Sequence, residues 1–493
     1  PRPRRFGKSL NMSMLKYFFT NKNAEKNREL FNGLKIEEEP EVMKLQGKYP
    51  LIYISFKDVK ELSWESCYSK TIGLIRDTYK EFIYLIDTLE LYDKEDYEKI
   101  LKETATQADY ENSLKFLSKL LYNYHGVKPI IIIDEYDQPI IMAHMNVYFK
   151  EGMNFYRNFL SAALKDNENL ERAILTGILR VAKESVFSGL NNLYVDSILT
   201  NKFNYFGLSE DEVLKMLNYY GRDYEIQEVK EWYNGYSFGK NLVYNPWSII
   251  NFIKDDVLKP YWVNTSSNDL IKEGLKNISK DNYKDFIELI NGHSISSVLD
   301  ENISFDTLEQ EGTVWNLMLF SGYLTLTENK EIRFVNKEVR NFYISVFKNL
   351  AGSDENKFNR LLNYMMNKDI NNFKGFLQEM FYKAVSYYDV GKEEKYYHNL
   401  MLGFVFGLEE NYIIHSNREY GTGRVDLALK SKDGKLPNYI FEFKVSKKFE
   451  DLEEDCKKAL AQIEDKKYGF EIDNPVKIGM SFYGKEFEIL IKE

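Results

Sequence analysis

Short apolar runs alternate with longer amphipathic stretches over the first 205 or so residues. Three runs, at 51–56, 130–134 and 173–178, are rich in β-branched residues, which is typical of strands buried on both faces. The stretches at 69–85 and 113–124 between them space their apolar residues as helices do. The alternation predicts an α/β fold with a doubly wound parallel sheet and helices on both faces.

The pattern changes twice further along the chain. Strand signals thin out from about residue 206 to 388, and a capping-box pair, Ser209 and Glu212, predicts a helix start there. This stretch also holds two aromatic segments, WYNGYSFG at 232–239 and YNPW at 244–247, to which we assign no chemical role. From about residue 390 a helix at 393–408, several strands and an amphipathic helix near 450–468 are predicted. We therefore expect domains at 1–205, 206–388 (a helical lid or linker region) and 389–493.

Composition limits the class of protein. A chain of 493 residues with a 44% apolar fraction is long enough for two to four packed domains. The net charge of -10 argues against a wholly basic surface but allows a local basic groove. Cys67 and Cys456 have no partner at metal-ligand spacing. We therefore expect free thiols in a reducing compartment.

No apolar run approaches the roughly 18 residues of a membrane span, and no signal peptide is present, so we expect a cytoplasmic protein without membrane contact.

The sequence RPRRFGKS, from Arg2 to Ser9, ends in Gly-Lys-Ser and is followed by an amphipathic helix. Gly7 would let the backbone approach phosphates, and the start of the helix would supply unpaired N–H groups. Lys8 would reach the β- and γ-phosphates of ATP, and the Ser9 hydroxyl would bind Mg²⁺. Arg2 stands where a phosphate-binding loop usually has glycine. From this motif alone, a basic helix start is an equally good interpretation.

Two acids close the apolar run at 130–134, and this arrangement favours nucleotide chemistry. In α/β sheets, ligands bind at the carboxyl ends of the strands. Asp134 would hold the Mg²⁺ shell, and Glu135 would polarise the attacking water. Thr176, at the end of the third run, would sense the γ-phosphate, and Arg180 would contact phosphate. Both are equally compatible with ordinary turn and surface residues.

These segments, with IDEYD at 133–137, RVAKES at 180–185 and YNPW at 244–247, resemble the bacterial AAA-ATPase-like family. In that family the ATPase-like domain is often joined to a C-terminal PD-(D/E)XK nuclease-like domain, and arginine in place of the first glycine is shared. The family also has a strand that enters the loop. This sequence begins at Pro1, inside the motif, so we expect it to derive from a longer protein and to lack the strand that anchors the loop.

A second constellation lies in the last hundred residues. The runs at 423–429 and 438–445, separated by the turn signal SKDG, predict a hairpin with Asp426 roughly opposite Phe443. Glu442 and Lys444 would then be neighbours of Asp426. The two carboxylates suit Mg²⁺ or Mn²⁺, and Lys444 would orient water or stabilise charge during phosphodiester hydrolysis. From spacing alone, an amphipathic strand with one cross-strand ion pair is the better interpretation.

The resemblance makes a metal site a better interpretation than a simple ion pair, because Asp426 followed by Glu442-Phe-Lys444 looks like the PD-(D/E)XK core. It implies that Glu394 fills the acidic, metal-binding position on the preceding helix. Gln462 and Tyr468 match polar positions on the following helix. For His398 we expect a structural role, since a lone histidine on an apolar helix is more often a core residue than a ligand.

The prediction is an ATP-binding P-loop NTPase joined to a metal-dependent nuclease, with ATP and Mg²⁺ as cofactors and DNA as the expected partner. RNA and homo-oligomers stay open. Two rivals remain. One is a nucleotide-switched signalling or scaffold protein whose nuclease-like domain binds without cutting. The other is an ATP-driven remodeller of nucleic acid or protein.

Overall fold

A computed structural model gives the fold of the chain as two compact units, Pro1–Val339 and Arg340–Glu493. It describes residues 2–165, 167–179, 193–199, 206–222, 226–239, 241–263, 271, 285–286, 288–290, 292–300, 313–350, 360, 363–365, 367–384, 394, 397–398, 401, 405, 408, 411–420, 423–466 and 472–492. The three-part division at 205 and 388 stays a prediction.

The first unit is built on a parallel sheet of three strands in the order β1-β2-β3. They are β1 (Leu51–Ser55), β2 (Ile130–Asp134) and β3 (Arg172–Leu175). Every residue of β2 is buried, as expected of a central strand covered on both faces. Helices before and between these strands span Lys8–Phe19, Ala24–Arg28, Pro40–Met43, Trp64–Lys80, Leu91–Leu101, Gln107–His125, Gln138–Met145 and Phe149–Leu164. The mixed α/β class with a parallel sheet is confirmed.

Two of the predicted helix starts were too late. The helix predicted at 113–124 begins at Gln107, where Thr106 and Asp109 form a capping box. The helix predicted at 69–85 begins at Trp64 after the cap Ser63 and ends at Lys80. Both errors arose because the caps are polar and precede the apolar periodicity.

The described residues of 206–388 contain more strand than the expected helical lid. Two antiparallel pairs lie there: β4 (Tyr236–Phe238) with β5 (Asn241–Val243), and β6 (Leu324–Leu326) with β7 (Ile332–Phe334). Ser209 and Glu212 do form the predicted capping box. The helices of this stretch span Glu210–Tyr219, Ile226–Tyr233, Pro246–Asp255, Thr313–Phe320, Lys337–Leu350 and Ile370–Ala384.

The second unit contains a five-stranded mixed sheet in the order β12-β11-β10-β9-β8. Its strands are β8 (Tyr412–Tyr420), β9 (Gly423–Ser431), β10 (Tyr439–Val445), β11 (Val476–Tyr483) and β12 (Glu486–Lys492). Among the described strands of this sheet, β10 and β11 pair in parallel and the other neighbours pair antiparallel. The helix Leu452–Asp465 connects β10 and β11. This helix lies so close to β11 that a Cβ on Gly479 would be 2.6 Å from the carbonyl oxygen of Cys456.

Most of the helix predicted at 393–408 lies outside the described residues. Among the helices that the structure describes, none is long and apolar enough to cross a membrane.

Glu338 is a fully buried carboxylate that joins separate segments of the first unit. Its Oε1 accepts hydrogen bonds from the backbone N–H groups of Tyr261 and Trp262 at 2.6 and 2.7 Å. Its Oε2 accepts from the Ser248 hydroxyl at 2.8 Å. Burial raises the pKa of Glu338 to about 7, although these donors favour the charged form and oppose the rise.

We expect Glu338 to make the folded state less stable as pH rises from about 4.5 to 7. Below the unfolded pKa, both states hold the proton and the contribution is complete. Above that pKa, the unfolded chain releases the proton while folded Glu338 keeps it, so the folded state loses stability relative to the unfolded chain. The loss ends near pH 7 and amounts to about 3 kcal/mol or less. Thermal midpoints measured from pH 4 to 8 should therefore fall more steeply for the native chain than for Glu338→Gln. Parallel profiles for the two proteins would contradict this.

Candidate functional site

The segment Arg2–Ser9, here called the Gly-Lys-Ser loop, leads into the helix Lys8–Phe19. Gly7 precedes this helix with φ 77°, a left-handed conformation that glycine adopts readily. The Lys8 side chain is buried, and its ammonium donates to the carbonyl oxygens of Arg2 and Pro3, both at 3.0 Å. Burial lowers the pKa of Lys8, and the negative charge of Glu135 opposes that shift. Lys8 thus points back onto its own loop.

Arg2, which replaces the usual glycine, anchors the loop. Its backbone N–H donates to the carbonyl of Gly177 at 3.1 Å. Its buried guanidinium forms an ion pair with Asp196 at 2.7 Å. The residue that departs from the common motif therefore ties the loop to the chain segment that follows β3.

Two hydroxyl groups donate to Asp134, at the carboxyl end of β2. The Ser9 hydroxyl donates to Asp134 Oδ2 at 2.7 Å, and the Thr176 hydroxyl donates to Oδ1 at 3.2 Å. Burial raises the pKa of the Tyr53 hydroxyl, which also lies near enough for the charge of Asp134 to raise it. A nearly fully buried carboxylate held by two donors is fixed in direction, as a group that binds a divalent ion must be.

Tyr53 is the member of this group that sequence reasoning missed. It lies on β1, paired with Ile132 of β2. Burial and then the charge of Asp134 raise the pKa of Tyr53 to about 12, so its hydroxyl stays neutral. Its only signal in the sequence was a hydroxyl group between two isoleucines, Ile52 and Ile54.

Glu135 follows Asp134 in an unusual backbone conformation, with φ 52°. It is half-buried, and burial raises its pKa, while the charge of Lys8 lowers it. Asp137 accepts from the backbone N–H groups of Ile178 and Leu179, both at 2.8 Å, and so fixes the loop after β3. Arg180 lies outside the described residues, and its predicted phosphate contact stays a prediction.

The predicted hairpin in the second unit exists as β9 and β10, but its register differs by one residue from the expectation. The last recorded pair is Phe441 with Leu427, and the same register continued by one step would set Glu442, rather than Phe443, opposite Asp426. The Asp426 Oδ2 instead accepts the backbone N–H of Phe443 at 2.7 Å. The length of the turn was not readable from the sequence, and turn length sets the register of a hairpin.

Glu442 is a buried carboxylate with one oxygen satisfied and one not. Its Oε1 accepts from the Gln462 amide and lies 3.4 Å from the Lys444 ammonium. Its Oε2 has no hydrogen-bond partner and the side chain is only 2% exposed. Burial, and then the charge of Asp426, raise the pKa of Glu442 to about 8. Such an oxygen is costly to bury alone, and a cation beside it would satisfy it.

Lys444 completes this cluster. Its ammonium donates to the carbonyl of Phe443 at 3.0 Å and lies 3.9 Å from Glu394 Oε2. Within the described ranges, no group of three His, Cys, Asp or Glu residues could hold a metal ion by itself. The pair Asp426 and Glu442 nevertheless fits Mg²⁺, which commonly takes one or two carboxylates and completes its shell with water and phosphate oxygens. The role of Glu394 as a third ligand stays a prediction.

His398 is buried and supports a strand. Its Nε2 donates to the carbonyl oxygen of Asp426 at 2.7 Å and lies 3.2 Å from the Ser416 hydroxyl. This contact agrees with the interpretation of His398 as a core residue and ties its ring to the backbone of Asp426. Tyr468 lies outside the described residues.

Comparison with known proteins gives two family matches and one relative. A family model described as a predicted AAA-ATPase matches residues 1–187, and one described as the PD-(D/E)XK nuclease superfamily matches residues 392–491. An Azotobacter chroococcum mcd 1 protein, named as an uncharacterized protein in the vnfD 5' region, is 28% identical over 273 residues. That match covers 54% of this chain and 46% of the relative, so the chain spans about half the length of the curated relative it matches.

Proposed function

Since the chain joins an AAA-ATPase-like domain to a domain of the PD-(D/E)XK nuclease superfamily, we propose that it is an ATP-regulated, metal-dependent nuclease. ATP would bind and be hydrolysed at the Gly-Lys-Ser loop. Phosphodiester cleavage of nucleic acid, DNA first, would take place at Asp426, Glu442 and Lys444.

The observation that carries the ATP half is the contact of Ser9 with Asp134 at 2.7 Å. These residues are 125 positions apart, and their oxygens meet where a parallel sheet presents ligands. Ser9 and Asp134 would hold Mg²⁺, which would supply positive charge to offset the charge of the phosphates. Lys8 would leave its two carbonyl partners to bind the β- and γ-phosphates. Thr176 would orient Asp134, and Glu135 would accept a proton from the attacking water.

The nuclease half is supported by the unpartnered Glu442 Oε2 beside Asp426. A divalent ion held by this pair would activate water and neutralise the scissile phosphate. Lys444 would stabilise the charge that develops on the phosphate. Gln462 holds Glu442 in place through its amide, and the Phe443 N–H holds Asp426. Both carboxylates are therefore oriented before substrate arrives.

The rival interpretations make different demands on this site. A scaffold domain that only binds nucleic acid has no need of a buried and a half-buried carboxylate in one cluster with an ammonium. A remodeller would show ATP turnover stimulated by nucleic acid or protein, without cleavage. The described contacts favour cutting over both rivals.

Cleavage of labelled single- and double-stranded DNA and RNA, with Mg²⁺ or Mn²⁺ and with or without ATP, tests the proposal. We expect metal-dependent cleavage whose rate changes with ATP. ATP turnover without cleavage of any substrate would favour the remodeller. Neither turnover nor cleavage would leave the scaffold interpretation.

Tyr53→Phe is expected to raise the Mg²⁺ concentration for half-maximal ATP turnover by about tenfold. The change removes only the hydroxyl that lies near Asp134, and contacts around metal ligands typically contribute 10- to 100-fold to metal affinity. Tyr49→Phe is the matched control, because Tyr49 and Tyr53 pack against the same core cluster. An unchanged Mg²⁺ dependence in Tyr53→Phe would contradict a role for this hydroxyl.

A further inference from the structure

The segment 244–247, YNPW, has no part in the chemistry proposed so far, yet it contacts the Gly-Lys-Ser loop. Asn245 is fully buried and caps the helix Pro246–Asp255, accepting from the N–H groups of Trp247 and Ser248 at 2.9 and 3.3 Å. Its amide nitrogen donates in turn to the carbonyl oxygen of Arg4 at 3.5 Å. One side chain therefore links the start of this helix to the loop.

Trp247 makes the closer contact. The Arg5 guanidinium lies over the Trp247 ring, 4.3 Å from its centroid, which is a cation–π geometry. Arg5 itself has φ 66°, a left-handed conformation that costs free energy for any residue with a side chain. Something must hold it there, and the Trp247 ring lies against its charged end. On its other side, Trp247 packs against a buried helical core.

The rest of the loop packs against the same part of the unit. Phe6 is buried, with edge-on ring contacts to Tyr236 and Phe238 at 4.7 and 5.1 Å. The Arg2 guanidinium lies 5.0 Å from the Phe238 ring. Residues 230 or more positions away thus contact the loop on both sides of Arg5.

We propose that Trp247 is a positioning residue for nucleotide binding, which acts by holding Arg5 and with it the backbone of the Gly-Lys-Ser loop. The inference rests on the proposed binding of ATP at this loop. A loop that is already in its binding conformation loses less entropy when the ligand arrives. Removing either member of the Arg5–Trp247 pair would release the same loop backbone. The losses of ATP affinity caused by the two substitutions should therefore not multiply.

A double-mutant cycle on the affinity for ATP with Mg²⁺, measured by titration calorimetry on the full chain, tests this. We expect Arg5→Ala and Trp247→Leu each to weaken binding roughly fivefold, the equivalent of one cation–π contact. The double variant should bind about as well as either single variant. Trp247→Tyr keeps an aromatic face and should bind nearly as tightly as the native chain. If Trp247→Leu fails to fold, Arg5→Ala and Trp247→Tyr still test the inference.

Lys337 and Trp232 form a matched control pair. The Lys337 ammonium lies 5.2 Å from the Trp232 ring centroid, and Trp232 packs against the same core cluster as Trp247. Trp232→Leu and Lys337→Ala should leave ATP affinity unchanged. An equal loss in Trp232→Leu would overturn the inference, because general damage to the core would then explain the effect.

Losses that multiply in the double variant would also overturn it, because Arg5 would then act directly on phosphate charge. If Arg5→Ala, Trp247→Leu and Trp247→Tyr all bind like the native chain, the inference fails and the proposed function stands. If the native chain itself does not bind ATP, the proposed ATP site fails, and the positioning role fails with it.

Discussion

Asp426→Asn is expected to lower metal-dependent cleavage of nucleic acid by at least about a hundredfold. Changes to residues that merely orient metal ligands already cost about 10- to 100-fold, and Asp426 would be a ligand itself. The substitution keeps the size of the side chain and leaves an oxygen to accept the Phe443 N–H, whose present bond is 2.7 Å long. What it removes is the negative charge that a divalent ion needs beside Glu442. Initial rates on labelled DNA, measured across a range of Mg²⁺ and Mn²⁺ concentrations, give the result.

Asp433→Asn is the matched control, since Asp433 is exposed in the turn of the same hairpin, where its carboxylate accepts from the Lys435 N–H at 3.0 Å. This variant should cleave like the native chain. Glu442→Gln should behave like Asp426→Asn, because it removes the other charge of the pair. Full activity in both Asp426→Asn and Glu442→Gln would refute the nuclease site, however well the domain resembles its superfamily.

The second large effect is expected from Lys8→Met, which should reduce ATP turnover by about a hundredfold or more. Donors and cations that stabilise transition-state charge contribute about 10² to 10³ in rate, and Lys8 is the cation that the Gly-Lys-Ser motif assigns to the phosphates. Methionine keeps much of the buried stem but has no ammonium. Phosphate release measured with saturating ATP and Mg²⁺ separates the loss of rate from a loss of affinity.

One alternative has to be excluded in that experiment. Lys8 also satisfies the carbonyl oxygens of Arg2 and Pro3, so its loss could disturb the loop without any role in chemistry. Thermal unfolding of Lys8→Met reports on this, and Lys26→Ala, at an exposed position of the helix Ala24–Arg28, controls for lost surface charge. Lys8→Met with native turnover would rule out the proposed role.

Local pattern in the sequence was enough to predict the strands that carry the acids. The run at 130–134 became β2 with the same bounds, because four buried β-branched residues ending in an acid fit a central strand and little else. The hairpin of Asp426 and Glu442 followed from alternation and a strong turn signal. Both predictions depend on residues that are neighbours in sequence.

The features that were missed depend on distant partners. Nothing near Tyr53 in the sequence indicates that its hydroxyl lies near the charge of Asp134, and nothing near Trp247 indicates that Arg5 lies over its ring. The direction of Lys8 was also unexpected, because the motif gives its role with phosphate and not its contacts without it. Long-range packing decides all three, and periodicity carries no information about it.

Gly479 has no chemical role, yet the site depends on it. It pairs with Glu442 in the neighbouring strand, and the helix that passes over it carries Gln462, which holds Glu442. Any larger residue would strike the helix backbone at Cys456 and lift the helix from the sheet. During evolution, a core residue can become larger when a neighbouring residue becomes smaller. Gly479 cannot become larger in this way, because its close neighbour is the helix backbone. A descendant that lost Gly479 would keep all its acidic residues and still separate Gln462 from Glu442, so an inventory of catalytic residues alone would misjudge which relatives remain active.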